Sequence, residues 1–395
     1  MSKILFLNIS AYGHVNPTLG LVNELVNQEN EVIYFSSEEF REKIEKSGAV
    51  FKTYKGELNP LKMQHNKGKE TGINKLMNFV NKILNCSIEI IDDILYQTKD
   101  IKFDYIVYDS IIPIGNVIAK ILDIPSISSF AVFVTPKERM MGKIYSIEDL
   151  IKDHPIIQTH KEVSGNLKKT YNVELSDDIS ELFFNKGDTN IAYTSKYFVS
   201  HIEYYDDSFK FIGPPIYDRK ENLDFPFERL QGKKVIYISL GTVFNNMHIN
   251  LYDIFFESFK DSDAVVVMTA YNIDISKFNI PENFIVKNYV PQSQILKYAD
   301  VAVTHAGMNS ISDLLYNNVP FVAIPIGGDQ PYMAKRASEL GAAISLDKDK
   351  LTAEILKTSI GKVLTDSNYV ENIKKISDSF KESGGYEKAV EAIFI

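Results

Sequence analysis

The stretch "KILFLNISAYGHVNP", residues 3–17, passes from an unbroken apolar run into a glycine-containing turn and then into a helix start. A short apolar run bounded by turn residues reads as a strand buried on both faces, as in a parallel sheet. "KKVIYISLGTVFNN", residues 233–246, repeats the plan in the second half of the chain. Two such strand–loop–helix openings predict two α/β units of the nucleotide-binding type. Between them, "FIGPPIYDRKENLDFPFERLQGKK", residues 211–234, is rich in Pro, Gly and charge and reads as a linker, with a boundary near Pro215.

Outward from these openings the alternation continues. Apolar runs at 31–36, 104–108 and 124–129, and then at 264–269, 284–286, 301–304 and 321–326, predict further strands. Helices are predicted at 17–28 and 73–97. Such alternation argues for parallel sheets with crossover helices. A chain of 395 residues exceeds one ordinary core, which also favours two domains.

Composition removes several classes of function. A net charge of −9 argues against a nucleic-acid partner, because phosphate backbones reward concentrated Lys and Arg. The single cysteine, Cys86, permits no internal disulfide and fits a reducing compartment. It sits on a helix-like stretch and reads as a small apolar residue. The N-terminal apolar run is too short for a membrane span and has no small-residue cleavage site. The expectation is a cytoplasmic protein without integral membrane association.

In parallel sheets, ligands collect beyond the carboxyl ends of strands. Those ends carry Ser10 to His14, Asp109 and Ser110, Phe130, Gly241 and Thr242, Gln292, His305 to Gly307, and Gly327 to Gln330. "VAVTHAGMNSISDLLYNN", residues 301–318, reads as strand, tight turn and helix, with Asn309 or Ser310 able to cap the helix. A helix start offers N–H groups and partial positive charge to a phosphate. Gly307 permits close backbone approach, His305 can add a hydrogen bond, and Gly241 with Thr242 can do so from the neighbouring loop. Asp313, about one turn into the helix, can accept from ribose hydroxyls. Asp329 and Gln330 pair a carboxylate with an amide on a loop, a set suited to sugar hydroxyls; a simple helix cap is the other reading of Asp329. The chain has neither GxxxxGK[ST] nor GxGxxG, and no cluster with metal-ligand spacing. His154 and His160 read as surface residues.

A second chemistry lies in the first half. His14 follows the first strand, Asn16 can cap the next helix, and Pro17 suits its first turn. A helix N-terminus disfavours the imidazolium, so His14 has the character of a general base. Asp109 ends "DYIVYDS". If the two strand ends meet, Asp109 can hold one ring nitrogen and fix the tautomer. The other reading makes His14 a turn residue and Asp109 a helix cap.

The ordered run "NYVPQ…HAGMNSISDLLYNNVPFVAIPIGGDQ", with "GHVNP" and "YDS" before it, resembles the UDP-dependent glycosyltransferases of family 1, in particular bacterial enzymes acting on macrolides, flavonoids and other small aglycones. The resemblance spans the whole chain. It implies the GT-B fold, two Rossmann-like domains facing each other across a cleft. The acceptor-binding domain would span 1–215, the donor-binding domain 216–378, and a final helix within 379–395 would pack back on the first domain. Tyr289, where most members have Trp, would stack on uracil. The backbone of Val290 and the side chain of Gln292 would meet the base and ribose. His305, Gly307, Asn309 and Ser310 would hold the diphosphate, with Gly241 and Thr242 as a second phosphate loop. Asp313, in place of the usual Glu, would bind the ribose, and Asp329 and Gln330 the transferred sugar. His14 and Asp109 fall on the catalytic pair. The implied reaction is inverting transfer of a hexose, glucose in the first instance, with no metal or other cofactor. UDP-glucose is the expected co-substrate and a dTDP-sugar the alternative.

For a planar, apolar acceptor the candidate contacts are Phe130, Phe133 and Met141, with Met140 beside them, and Phe79 from the helix at 73–97, whose apolar face otherwise reads as core. Residues 142–190 are polar and weakly patterned and read as a cover over that acceptor. The chain is expected to act as a monomer or weak dimer. Two other readings compete. A nucleotide-sugar epimerase would act on the donor alone and would have no need of the His14–Asp109 pair. A non-catalytic nucleotide-sugar-binding protein would keep the 289–330 cluster without a use for His14.

Overall fold

A computed structural model describes residues 1–54, 72–133, 151–217, 224–241 and 250–394. The chain divides into two compact units, one of Met1–Tyr217 with Ser383–Ile395 and the other of Asp218–Glu382.

The first unit carries β1 (Lys3–Leu7), β2 (Glu31–Phe35), β3 (Val50–Lys52), β4 (Tyr105–Asp109), β5 (Ser126–Phe130), β6 (Thr189–Ala192) and β7 (Phe209–Phe211). They form one sheet in the order β3-β2-β1-β4-β5-β6-β7, with every pairing parallel. The second unit carries β8 (Val235–Ser239), β9 (Val265–Thr269), β10 (Phe284–Lys287), β11 (Val301–Thr304), β12 (Phe321–Ala323) and β13 (Ala343–Ser345). Its order is β10-β9-β8-β11-β12-β13, again all parallel. Each order reverses once, between β1 and β4 and between β8 and β11. At such a switch point the following loops diverge and leave a crevice at the carboxyl ends of the strands. Register aligns those ends: Leu7 faces Tyr108, and Ser239 faces Thr304.

The strands are apolar on both faces because helices cover both faces of a parallel sheet. In the first unit Leu5, Leu7, Ile33, Phe35 and Ile106 join one core cluster with Ile83, Ile91 and Ile118 from helices. On the other face Phe6 stacks on Tyr34 with ring centroids 4.6 Å apart. In the second unit Ile236, Ile238, Val266, Val303 and Val322 pack against Phe255, Leu356 and Ile360.

Several elements differ from expectation. The predicted helix 73–97 is two, Gly72–Asn85 and Ser87–Gln97, with the break at Cys86. The first helix starts at Tyr12 rather than Pro17, so Asn16 and Pro17 lie inside it and Ala11 occupies the cap. β3, β6, β7 and β13 were not anticipated; they are three or four residues long and no long apolar run marks them. The expected linker 211–234 begins with the last residue of β7. Residues 156–171 form a helix with Ile156, Thr159, His160, Val163 and Leu167 buried, so this part of 142–190 is packed core. His160 is correspondingly buried, its Nε2 2.9 Å from the Ser176 carbonyl.

The chain ends in the helix Gly385–Ile393, entered through Gly384 and Gly385, both at positive φ. Tyr386 lies over Gly20, where any Cβ would fall 2.1 Å from its ring. Its hydroxyl donates to the Pro17 carbonyl at 2.9 Å, and Phe394 meets Tyr105 edge-on at 5.3 Å.

Candidate active site

The switch point of the first unit sets two side chains against each other. His14 is the third residue of the helix Tyr12–Asn27, and Asp109 is the last residue of β4. His14 Nδ1 lies 2.6 Å from Asp109 Oδ2. The other carboxylate oxygen, Oδ1, accepts the Ile111 N–H at 2.9 Å. Asp109 is 1% exposed and His14 partly so. A buried carboxylate held at both oxygens has one orientation available. It therefore fixes the proton on Nδ1 of the neutral ring, and Nε2 is the basic nitrogen. Beneath the pair, Asn8 donates to the His14 carbonyl at 3.0 Å and to the Tyr34 hydroxyl at 2.8 Å, which pins the first helical turn to β2. Asn8 escaped the sequence reading. Its signal was present, a buried polar residue directly after an apolar run.

The second switch point gathers Gly241, His305 and Gly307. His305 N and Nδ1 both face the Ser239 carbonyl, at 3.1 and 3.3 Å. A Cβ on Gly241 would meet His305 Nε2 at 2.5 Å, and one on Gly307 at 2.6 Å, so the ring is wedged where only glycines fit. Gly241 also has φ +72°, the left-handed region that glycine enters without strain. Burial pushes the His305 imidazole down to about 4, only partly countered by the Ser239 carbonyl, so the ring is neutral at pH 7. Ala306 holds φ 67° between them, an uncommon conformation for a residue with a Cβ, and nothing in the sequence marked it. Gly307, not Asn309 or Ser310, is the cap of the helix Met308–Tyr316. Asn309 and Ser310 stand in its first turn, and the cap residue itself supplies no side-chain bond. A helix start of this kind presents N–H groups to an anion. Thr242 lies outside the described residues.

A third group is linked by hydrogen bonds. The Gln292 amide donates to Asp313 Oδ2 at 2.6 Å and accepts from the Tyr237 hydroxyl at 3.0 Å. Tyr289 is 39% exposed and Val290 is buried just before them. Asp329 precedes the helix Gln330–Glu339 but makes no side-chain cap bond. Gln330 is buried, and its Oε1 accepts the N–H groups of Ile326 and Gly327 at 2.8 and 3.0 Å. Its amide can therefore address a sugar only as a donor.

The acceptor candidates fare differently. Phe130 is 1% exposed and packs on Phe209 at 5.1 Å; it is a core residue. Phe79 belongs to the apolar cluster of the first unit, and Phe133 is buried against Phe198. All three are buried in packing within the first unit. Met140 and Met141 lie outside the described residues. Among the described residues no group of three or more His, Cys, Asp or Glu could hold a metal ion, and no helix is long and apolar enough to cross a membrane.

Comparison with known proteins identifies the family. The family described as "UDP-glucoronosyl and UDP-glucosyl transferase" matches residues 226–384. The uncharacterized UDP-glucosyltransferase YdhE of Bacillus subtilis (strain 168) is 35% identical, with 100% of this chain and 98% of that protein aligned. The NDP-glycosyltransferase YjiC of the same organism is 30% identical over 99% of this chain and 96% of its own. Among solved structures, the glycotransferase of kitacinnamycin superposes with a TM-score of 0.84 at 24% identity, covering 99% of this chain and 98% of that one. Two parallel-sheet α/β units, a full-length match and the nucleotide-sugar motif agree: the chain belongs to the UDP-glucuronosyl and UDP-glucosyl transferase family and is a UDP-glycosyltransferase of the GT-B fold.

Proposed function

We propose that the protein moves a glucose unit from a UDP-sugar to a hydroxyl of a small, largely apolar acceptor, with inversion at the anomeric carbon. The observation that carries the reading is the His14–Asp109 pair at 2.6 Å. His14 Nε2 takes the acceptor's proton as its oxygen attacks, and Asp109 stabilises the imidazolium that forms. The new C–O bond forms as the bond to the diphosphate breaks, so UDP departs from the opposite face and an α-linked donor gives a β-glycoside. No covalent sugar intermediate is needed, in contrast to retaining transfer through a carboxylate nucleophile.

Donor roles follow from the second unit. Tyr289 offers a partly exposed ring to the uracil; the Val290 backbone and Gln292 meet the base and ribose, and Asp313 the ribose hydroxyls. His305, the glycines 241 and 307, and the helix start with Asn309 and Ser310 receive the diphosphate and the charge it gains on leaving. Asp329 and Gln330 hold the sugar. The likeness to the UDP-glucosyltransferase YdhE supports UDP and glucose over a dTDP-sugar, whereas YjiC, an NDP-glycosyltransferase, supports neither nucleotide over the other. Tyr12, two residues before His14 and 40% exposed, is braced edge-on by Phe40 at 4.9 Å and supports an apolar acceptor beside the base.

The test is incubation with UDP-glucose and a panel of flavonoids, macrolides and phenols, read as a mass gain of one hexose. The proton coupling at the new anomeric centre reports inversion. Transfer retained in His14→Ala would remove the proposed base, and a donor epimerised without acceptor would replace the whole reading.

A further inference from the structure

β8 alternates faces: Ile236 and Ile238 enter the apolar core cluster of the second unit, so Val235, Tyr237 and Ser239 point to the other side. A phenol on a central strand is a costly choice unless its hydroxyl has a partner. Tyr237 is 3% exposed; its hydroxyl donates to the Gln292 Oε1 at 3.0 Å, with the Ser239 and Thr269 hydroxyls also beside it. The other end of the same amide, Nε2, donates to Asp313 Oδ2 at 2.6 Å. The order donor–amide–carboxylate admits one sense only. Turning the amide over would set its oxygen against the Asp313 carboxylate and its N–H groups against a hydroxyl that now donates.

We infer that Tyr237 is a positioning residue for ribose recognition, acting through Gln292 to hold the Asp313 carboxylate in one rotamer. The inference rests on the proposed role of Gln292 and Asp313 at the ribose. Burial raises the Tyr237 phenol far above its ordinary value, so it remains a donor throughout the working pH range. Without that donor the Gln292 oxygen is left without its buried partner, and the amide that braces Asp313 is held at one end only. The phenol touches no substrate; its effect is on nucleotide affinity that depends on ribose hydroxyls, and kcat at saturating donor is untouched.

The experiment compares binding of UDP and 2′,3′-dideoxy-UDP by titration calorimetry, with donor KM and kcat measured in parallel. In the unaltered protein UDP binds more tightly than the dideoxy analogue. Tyr237→Phe is expected to weaken UDP about 5–20-fold, the effect of losing one buried hydrogen bond, and to leave dideoxy-UDP unchanged. An equal loss on both nucleotides, or no loss on either, overturns the relay. Asp313→Ala tests the underlying reading separately: if it leaves the preference for UDP intact, the ribose site itself is wrong. Should Tyr237→Phe fail to fold, Gln292→Glu reads the second half of the relay, from the amide to Asp313. Its carboxylate still accepts from Tyr237 but repels Asp313, so the preference for UDP is expected to vanish at pH 8 and return at pH 5.5 as the pair shares a proton. A preference unchanged at both pH values refutes the relay.

Discussion

Asp109→Asn isolates the proposed chemistry because the substitution keeps shape and removes a single acceptor. Asp109 accepts twice, from Ile111 N–H at 2.9 Å and from His14 Nδ1 at 2.6 Å. An asparagine has one oxygen and must choose. If the oxygen stays on His14, its NH2 faces the Ile111 N–H, a buried donor is orphaned, and the cost is about 1–3 kcal/mol. If the oxygen turns to Ile111, the NH2 donates to Nδ1, and every bond survives with the ring proton moved to Nε2. The second arrangement is the cheaper, and in it the imidazole has lost its basic nitrogen. The expected protein is therefore folded, with unfolding free energy within about 1–2 kcal/mol of the original, and turnover down about 10²–10⁴-fold. Urea unfolding and hexose transfer to the best acceptor of the panel supply the two readouts. Turnover within about threefold of the original would refute the base assignment, since general-base catalysis contributes far more than that. Lost activity accompanied by lost folding would make Asp109 a structural residue.

Other outcomes are open to direct measurement. The His305 imidazole is pushed down to about 4 in the folded protein, whereas an unfolded chain binds that proton near pH 6.5. Between those values the unfolded state holds more protons, so the contribution of His305 lowers stability as pH falls from 6.5 to 4, by up to about 3 kcal/mol. His305→Gln should flatten that part of the stability profile in urea titrations at pH 7 and pH 5; an unchanged slope would contradict it. Gly241→Ala and Gly307→Ala both drive a methyl into His305 and should both weaken UDP binding, but Gly241→Ala, at φ +72°, should also lose about 1–2 kcal/mol of stability. Equal stability of the two variants would show that backbone conformation is not the difference. Tyr386→Phe removes the bond to the Pro17 carbonyl and should cost about 1 kcal/mol of stability while leaving UDP affinity unaltered, since Tyr386 belongs to the first unit.

The chain's own pattern was enough to establish two α/β units. Runs such as 3–7 and 235–239 are apolar at every position because both faces of a central parallel strand are covered, and that statement is local. Loop chemistry was equally local: His14, Asp109, His305 and Gly307 stand directly after such runs, where parallel sheets put their ligands. β3, β6, β7 and β13 escaped because no long apolar run surrounds their three or four residues, and the helix Ile156–Tyr171 escaped because its buried face includes Thr159 and His160.

What the tertiary structure alone decided is which groups share a hydrogen bond. His14 and Asp109 are 95 residues apart, and Tyr237 and Gln292 are 55. A hydrogen bond exists within a few tenths of an ångström, and strand order and register set that distance, neither of which is encoded in the residues near either partner. The same dependence packs Phe130 against Phe209 and engages the Gln330 oxygen with the Ile326 N–H. Residue type and spacing named the chemistry available to this chain; the folding of β1 against β4 and β8 against β11 determined which of those groups stand together.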